Sequence, residues 1–250
     1  MKETLVVITY IAGESQGSEL ALALLGWKKH FKSPHRIVIV GDKPPMEDIE
    51  WVEINRLPEK DGEYRPHLDI CHKLELVAAL YGDKYDGFIW ASDDCYAIND
   101  FTLEDVMVLK YQDDEMPSKG DNHPNSWLRN LVKTRNLCDK EGFGIINWVT
   151  HLPLFFNMKR LVDIIWKYDL TNKSYVIENL YFNSFYHIGK LVKLYPQDDW
   201  KFGVYFTPLD RQGFYDALSH KKWVCNSVHG WSDALEEELR KHYGIKNSTD

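Results

Sequence analysis

Basic residues are outnumbered in this chain. Thirty Lys and Arg stand against 38 Asp and Glu, a net charge of −8. That balance argues against a general nucleic-acid binder, which presents a basic surface. Cysteine is scarce and scattered. Cys71, Cys95, Cys138 and Cys225 form no C-x-x-C pair, so a structural zinc site is not expected. No apolar run is long enough to span a bilayer, and Met1 to Thr4 lead into a strand with no signal-peptide layout. The expected compartment is therefore the cytoplasm, with free thiols, where the Asn247-Ser248-Thr249 sequon carries no meaning. Two phosphate-binding loops are missing as well. Gly13-Glu14-Ser15-Gln16-Gly17-Ser18 after the first strand has no lysine, which excludes a P-loop, and no G-x-G-x-x-G follows that strand either. Internal repeats, low-complexity tracts and clear linkers are absent.

What is present is a chain able to fold. Hydrophobic residues make up 44%, so disorder is not the default, and 250 residues suffice for one large α/β domain or a domain with a subdomain. Aromatic residues are dense, with nine Trp and fourteen Tyr. They serve a core, and they also suit stacking on bases or sugar faces. Continuous apolar runs predict strands over Leu5–Tyr10, Arg36–Val40, Trp51–Ile54 and Phe88–Ala91. Between them lie two amphipathic helices. Ser18 is the expected cap of the first, with Leu20, Leu24, Trp27 and Phe31 on one face. Pro66 opens the second, with Ile70, Leu74, Val77 and Tyr81 in a stripe. The β-α-β-β-α-β order implies a mostly parallel sheet with helices on both faces.

The pattern weakens after Asp100. Asp113 to Asn125 reads as a long polar loop, and Ser126 to Asn136 as a helix carrying Arg129, Lys133 and Arg135. That basic face is either solvated or an anionic acceptor site. Strands are predicted at Ile145–Trp148, Leu154–Phe156 and Trp223–Asn226. Helices are predicted around Leu161, Ile164, Ile165 and Tyr168, around Leu180, Ser184, Phe185 and Ile188, and after Ser232, with Leu235 and Leu239 on one side. Residues 1–100 read as a nucleotide-type half and 101–250 as an acceptor half built onto it.

The most informative segment is Phe88-Ile89-Trp90-Ala91-Ser92-Asp93-Asp94. A buried strand ends in adjacent carboxylates, where open α/β sheets bind their ligands. Two such acids repel each other unless something positive lies between them, and a divalent metal with oxygen ligands is the usual answer. The alternative is that one Asp caps a turn and the other is solvated.

Here the sequence resembles a known family. Its layout is similar to GT-A fold nucleotide-sugar glycosyltransferases of bacterial capsule type or phage type, with Ser92-Asp93-Asp94 where such enzymes carry a D-x-D motif. Ile70-Cys71-His72-Lys73-Leu74, Thr150-His151-Leu152-Pro153-Leu154-Phe155-Phe156, Ile177-Glu178-Asn179-Leu180-Tyr181-Phe182-Asn183 and Trp223-Val224-Cys225-Asn226-Ser227 extend the likeness over most of the chain. Position 92 is Ser where the motif has its first acid.

The resemblance implies a GT-A-like nucleotide-binding sheet and a nucleoside-diphosphate sugar donor, UDP-sugar favoured. It also implies a glycan or other hydroxyl acceptor and a Mn²⁺ or Mg²⁺ cofactor. The metal falls on Asp94 with help from Asp93, and a late His229 is a further ligand or a surface-turn histidine. Thr9, Tyr10 and Asp42 would line the nucleotide pocket, though Tyr10 also suits a core. Lys73 would reach a phosphate or be solvated. His151 would meet the acceptor or be a satisfied buried histidine. Glu178 would be a base or acceptor ligand, or would answer its helix dipole. Asp199, of the pair Asp198-Asp199, would be a second candidate base or would end a strand. Three alternatives stay open: transfer of a sugar phosphate, glycosylation of nucleic-acid bases, and an inactive homologue that binds a glycan or partner.

Overall fold

The computed structural model describes residues 3–57, 65–185, 191–194 and 199–245. Ile188, Asp198 and the Asn247 sequon lie outside them. The chain runs β1 (Thr4–Tyr10), α1 (Glu19–His30), β2 (His35–Gly41), β3 (Glu50–Glu53), α2 (Pro66–Tyr81), β4 (Gly87–Ser92), β5 (Cys95–Ala97), α3 (Leu103–Met107) and β6 (Leu109–Tyr111). It continues through α4 (Ser126–Glu141), β7 (Leu154–Asn157), α5 (Met158–Tyr168), α6 (Ile177–Phe185), β8 (Leu191–Lys193), β9 (Lys201–Val204), α7 (Arg211–His220), β10 (Trp223–Asn226) and α8 (Asp233–Tyr243).

The main sheet has the order β3-β2-β1-β4-β7. Its first four strands are parallel, and β7 closes the edge antiparallel to β4. Alternation along β1 explains the layering. Leu5 and Val7 face one core, shared with Cys71, Leu74 and Val77 of α2 and Leu161 and Ile165 of α5. Val6 and Ile8 face the other, shared with Leu20, Leu24 and Trp27 of α1. Both faces are therefore covered, as continuous apolar strands require. A smaller sheet, β5-β10-β9, packs beside α1, and β6 pairs with β8.

The strand ends define a narrow seam. At Gly41, φ is +137° and an added Cβ would lie 2.0 Å from the Tyr10 carbonyl oxygen. Only glycine lets β2 finish so close to β1.

Three expectations are corrected by the structure. Ile145–Trp148 is no strand. Only a single antiparallel bridge forms, between Asn147 and Asp113, with Met116 N donating to Ile145 O at 2.7 Å beside it. On its other side the backbone is bonded by amides from α6: Asn183 Oδ1 accepts from Ile146 N at 2.9 Å, Asn183 Nδ2 donates to Ile146 O at 2.8 Å, and Asn179 Oδ1 accepts from Trp148 N at 2.6 Å. Two asparagines one helical turn apart satisfy the groups that a second neighbouring strand would. Ser18 makes no capping bond; its hydroxyl donates to Glu236 Oε1 of α8 at 2.6 Å. The basic face of α4 is used within the chain. Arg129 donates to the carbonyls of His123 and Pro124, Arg135 to Glu115 and the Met116 carbonyl, and Lys133 lies 4.7 Å from the centroid of Tyr175.

Candidate active site

The chain turns at Asp93 and Asp94. They form a two-residue corner between β4 of the main sheet and β5 of the small one. The corner sits at the carboxyl edge of the parallel strands, where the side chains beyond β1 and β4 face a cavity of about 570 Å³. That size suits a small ligand. Thr9, Ser15, Lys73, Trp90 and Ser92 line it together with both aspartates, and His151 and Glu178 line it too. Six of the sequence-derived site residues are thus brought together: Thr9, Lys73, Asp93, Asp94, His151 and Glu178.

Both aspartates have raised pKa values. Asp93 is pushed up to about 6 by burial and then by Asp94, against a hydrogen bond from Ser15. Asp94 is raised by burial, against its bond from Ser92 and the charge of Lys201. Ser92, the departure from the D-x-D pattern, therefore acts on its neighbour: its hydroxyl donates to Asp94 Oδ1.

α6 brings another carboxyl to the cavity. Glu178 is buried in the first turn of α6, and burial raises its pKa to about 7. His151 opens into the cavity from the wall before β7. Its φ of 59° is rare outside glycine. Surrounding protein and then the charge of Lys201 hold its imidazole down to about 4, so it is neutral at physiological pH. Lys73 is not a solvated helix residue. It is buried, and its ammonium donates to Asp69 Oδ2 at 2.6 Å one turn earlier on α2. Asp69 Oδ1 in turn accepts from Leu57 N at 2.9 Å.

Four expected residues stand elsewhere. Tyr10 is buried in the core with Leu20 and Leu24. Asp42 accepts from Ala12 N at 2.8 Å and so shapes the loop after β1. His229 is exposed on a turn after β10, its own N–H bonded to Ser227 Oγ at 3.3 Å. Asp199 is exposed just before β9. None of the four is among the residues lining the cavity. Among the described residues no three His, Cys, Asp or Glu side chains converge as a complete metal cage, so His229 is not brought to Asp93 and Asp94.

The sequence reading missed Glu19 and Asn226. Both line the cavity. Glu19, the first residue of α1, accepts from Gln16 N and from Asn226 Nδ2, each at 2.7 Å. Burial lifts its pKa to about 7. Asn226 is oriented by Tyr96, whose hydroxyl donates to Asn226 Oδ1 at 2.6 Å. A glutamate opening a helix looks in sequence like any acid answering a helix dipole, and its partner lies 207 residues away.

A mostly parallel α/β sheet with an acidic ligand cavity at its carboxyl edge is the class that the fold and site define. No family model matches the sequence, and no curated protein does. Solved structures do match. One is a glycosyltransferase involved in the glycosylation of the major capsid of PBCV-1, at 13% identity over 97% of this chain and 100% of that one, with a TM-score of 0.45. Another is the apo structure of the bifunctional glycosyltransferase WbbM, at 10% identity over 97% of this chain, with a TM-score of 0.46. This chain spans 50% of the WbbM chain. At these identities and TM-scores the likeness carries no argument about the reaction.

Proposed function

We propose that this protein is a glycosyltransferase that takes a sugar from a nucleoside-diphosphate sugar and passes it to a hydroxyl acceptor. One observation carries the reading: Asp93 and Asp94 line a ligand-sized cavity at the carboxyl edge of the sheet, and burial raises the pKa of both. Neighbouring acids in that state favour a proton or a cation. A divalent cation fits the donor set, because carboxylate oxygens are hard ligands and two of them suffice when water and phosphate complete the shell. Mn²⁺ or Mg²⁺ held by Asp93 and Asp94 would neutralise the charge of a departing diphosphate.

The chain's own residues would divide the remaining work. Thr9 and Ser15 border the donor side beside Asp93, and Lys73 brings a buried ammonium to the same wall. His151 and Glu178 would face the acceptor. A buried carboxyl with a pKa of about 7 is matched to taking a proton from an acceptor hydroxyl at neutral pH. Neutral His151 can bond that hydroxyl without adding charge.

The test is a thermal-shift panel of UDP- and other nucleoside-diphosphate sugars with and without Mn²⁺. Stabilisation by a sugar nucleotide only in the presence of the metal is expected, by linkage. Equal stabilisation in chelator would remove the metal role, and none across the panel would remove the donor.

A further inference from the structure

Two cysteines lie behind the acidic corner. Cys95 follows Asp94 directly and Cys225 precedes Asn226, so each adjoins a cavity residue. They are register partners on antiparallel β5 and β10. Their sulfurs are 3.0 Å apart, with the Cys225 thiol donating to Cys95 Sγ. Directly opposed residues on antiparallel strands hold their Cβ atoms about 4.5–5.5 Å apart, and a disulfide needs about 3.5–4.5 Å. A small closure of the strand pair, without a change of register, bridges that gap.

The pair lies close to the cavity. Cys225 Sγ lies 3.6 Å from the His151 carbonyl oxygen, and His151 lines the cavity. Both thiols are buried, so a bulky reagent is kept away and oxidation draws on local opening of the strand pair. The other two cysteines, Cys71 and Cys138, are buried too, but neither has a thiol partner among the described contacts.

We propose that Cys95 and Cys225 are an oxidative modification site, closed to a disulfide by a peroxide. The chemistry balances. Cys225 sulfur attacks one peroxide oxygen, the O–O bond breaks, and the products are a sulfenic acid and one water. Cys95 sulfur then attacks the Cys225 sulfur, its S–OH bond breaks, and the hydroxyl leaves as a second water with the Cys95 proton. Two thiols are oxidised and one hydrogen peroxide is reduced. The new bond ties the strand after Asp94 to the strand that ends in Asn226, fixing the cavity floor from behind. The site stands on its own geometry and does not depend on the reaction proposed above.

The experiment uses the full, native chain. After hydrogen peroxide treatment and quenching, the protein is denatured and its free thiols are alkylated with N-ethylmaleimide. Intact mass then counts the labels, and peptide mapping locates the link. All four cysteines should label before oxidation. After oxidation only Cys71 and Cys138 should label, with one linked peptide pair holding Cys95 and Cys225. The oxidised protein should melt several degrees higher, and dithiothreitol should reverse both changes. Four labels after oxidation, a link through Cys71 or Cys138, or over-oxidation of Cys225 without a link would each overturn the proposal. Because the mapping is done on wild-type protein, no cysteine variant has to fold.

Discussion

Asp94 and Glu178 line one cavity, and single substitutions separate the roles proposed for them. Asp94→Asn removes the carboxylate proposed to hold the metal while keeping the side chain's size. Turnover should fall at least about a hundredfold, the scale of losing one electrostatic stabiliser, and the metal-dependent thermal shift with sugar nucleotide should vanish. Glu178→Gln should keep that thermal shift but lower turnover by about 10²- to 10⁴-fold, as loss of a general base does. The same variant reports on burial. Glu178 has an ordinary pKa of 4.5 and about 7 in the fold, so between those values the folded state binds more protons than the unfolded one. Its contribution to stability is therefore lost as pH rises through that window. Relative to wild type, Glu178→Gln should be neutral near pH 4 and more stable at pH 8, by up to about 3 kcal/mol. Denaturant unfolding at the two pH values measures this directly. Lys73 and Asp69 make the opposite case. Each side chain is almost wholly buried, at 1% and 2% exposure, so Asp69→Ala should cost about 3–5 kcal/mol by leaving Lys73 unpaired.

At the scale of elements, regular repeats were legible and borrowed ones were not. β1, β2 and β4 are continuous apolar runs, and α1, α2 and α5 carry clear stripes, so pattern alone placed them. Ser232 was recognised as the α8 cap, and its hydroxyl does accept from Leu235 N at 3.3 Å. β5, β6, β8 and β9 have three or four residues each, too few for a period to show, and α7 was missed as well. Ile145–Trp148 misled for a different reason: its hydrogen-bond partners are split between the backbone of residues 112–116 and asparagine side chains on α6, which no local pattern reveals. Caps are a testable part of this layer. Asn157 ends β7 and caps α5, accepting from Arg160 N at 3.1 Å and donating to Asp86 O at 3.1 Å. Asn157→Ala should lower stability by about 1–2 kcal/mol, read from the midpoint of urea unfolding.

Across the whole molecule, opposed titrations set the pH response. His67, which is buried, is lowered to about 4, and the cavity-facing His151 is lowered as well, so they add stability as pH rises toward the ordinary imidazole value of 6.5, His151 less so because solvent reaches it. Glu19 and Glu178, raised to about 7, and Asp93, raised to about 6, take it away over much of the same range. Above pH 6.5 the imidazoles have little left to add while the two glutamic acids are still losing protons. Metal-free protein should therefore lose about 1 kcal/mol between pH 6.5 and 8, by chemical denaturation at matched ionic strength. A profile that rises across that interval would contradict the buried state of both glutamates. Among the described residues no helix is long and apolar enough to cross a membrane, and both faces of the main sheet are covered by helices of this chain.

By itself the sequence determined the mostly parallel sheet, the helices on its two faces and the acidic end of β4, because each is written in neighbouring residues with a fixed period. Tertiary structure alone decided which of the candidate side chains meet. It placed Glu178 and His151 on the same cavity as Asp93 and Asp94, left His229 and Asp199 at the surface, and joined Glu19 to Asn226 from opposite ends of the chain. The physical reason is range. Strand and helix patterns follow from contacts a few residues apart, whereas a site is made by desolvation and hydrogen bonds between residues that only the folded chain brings together.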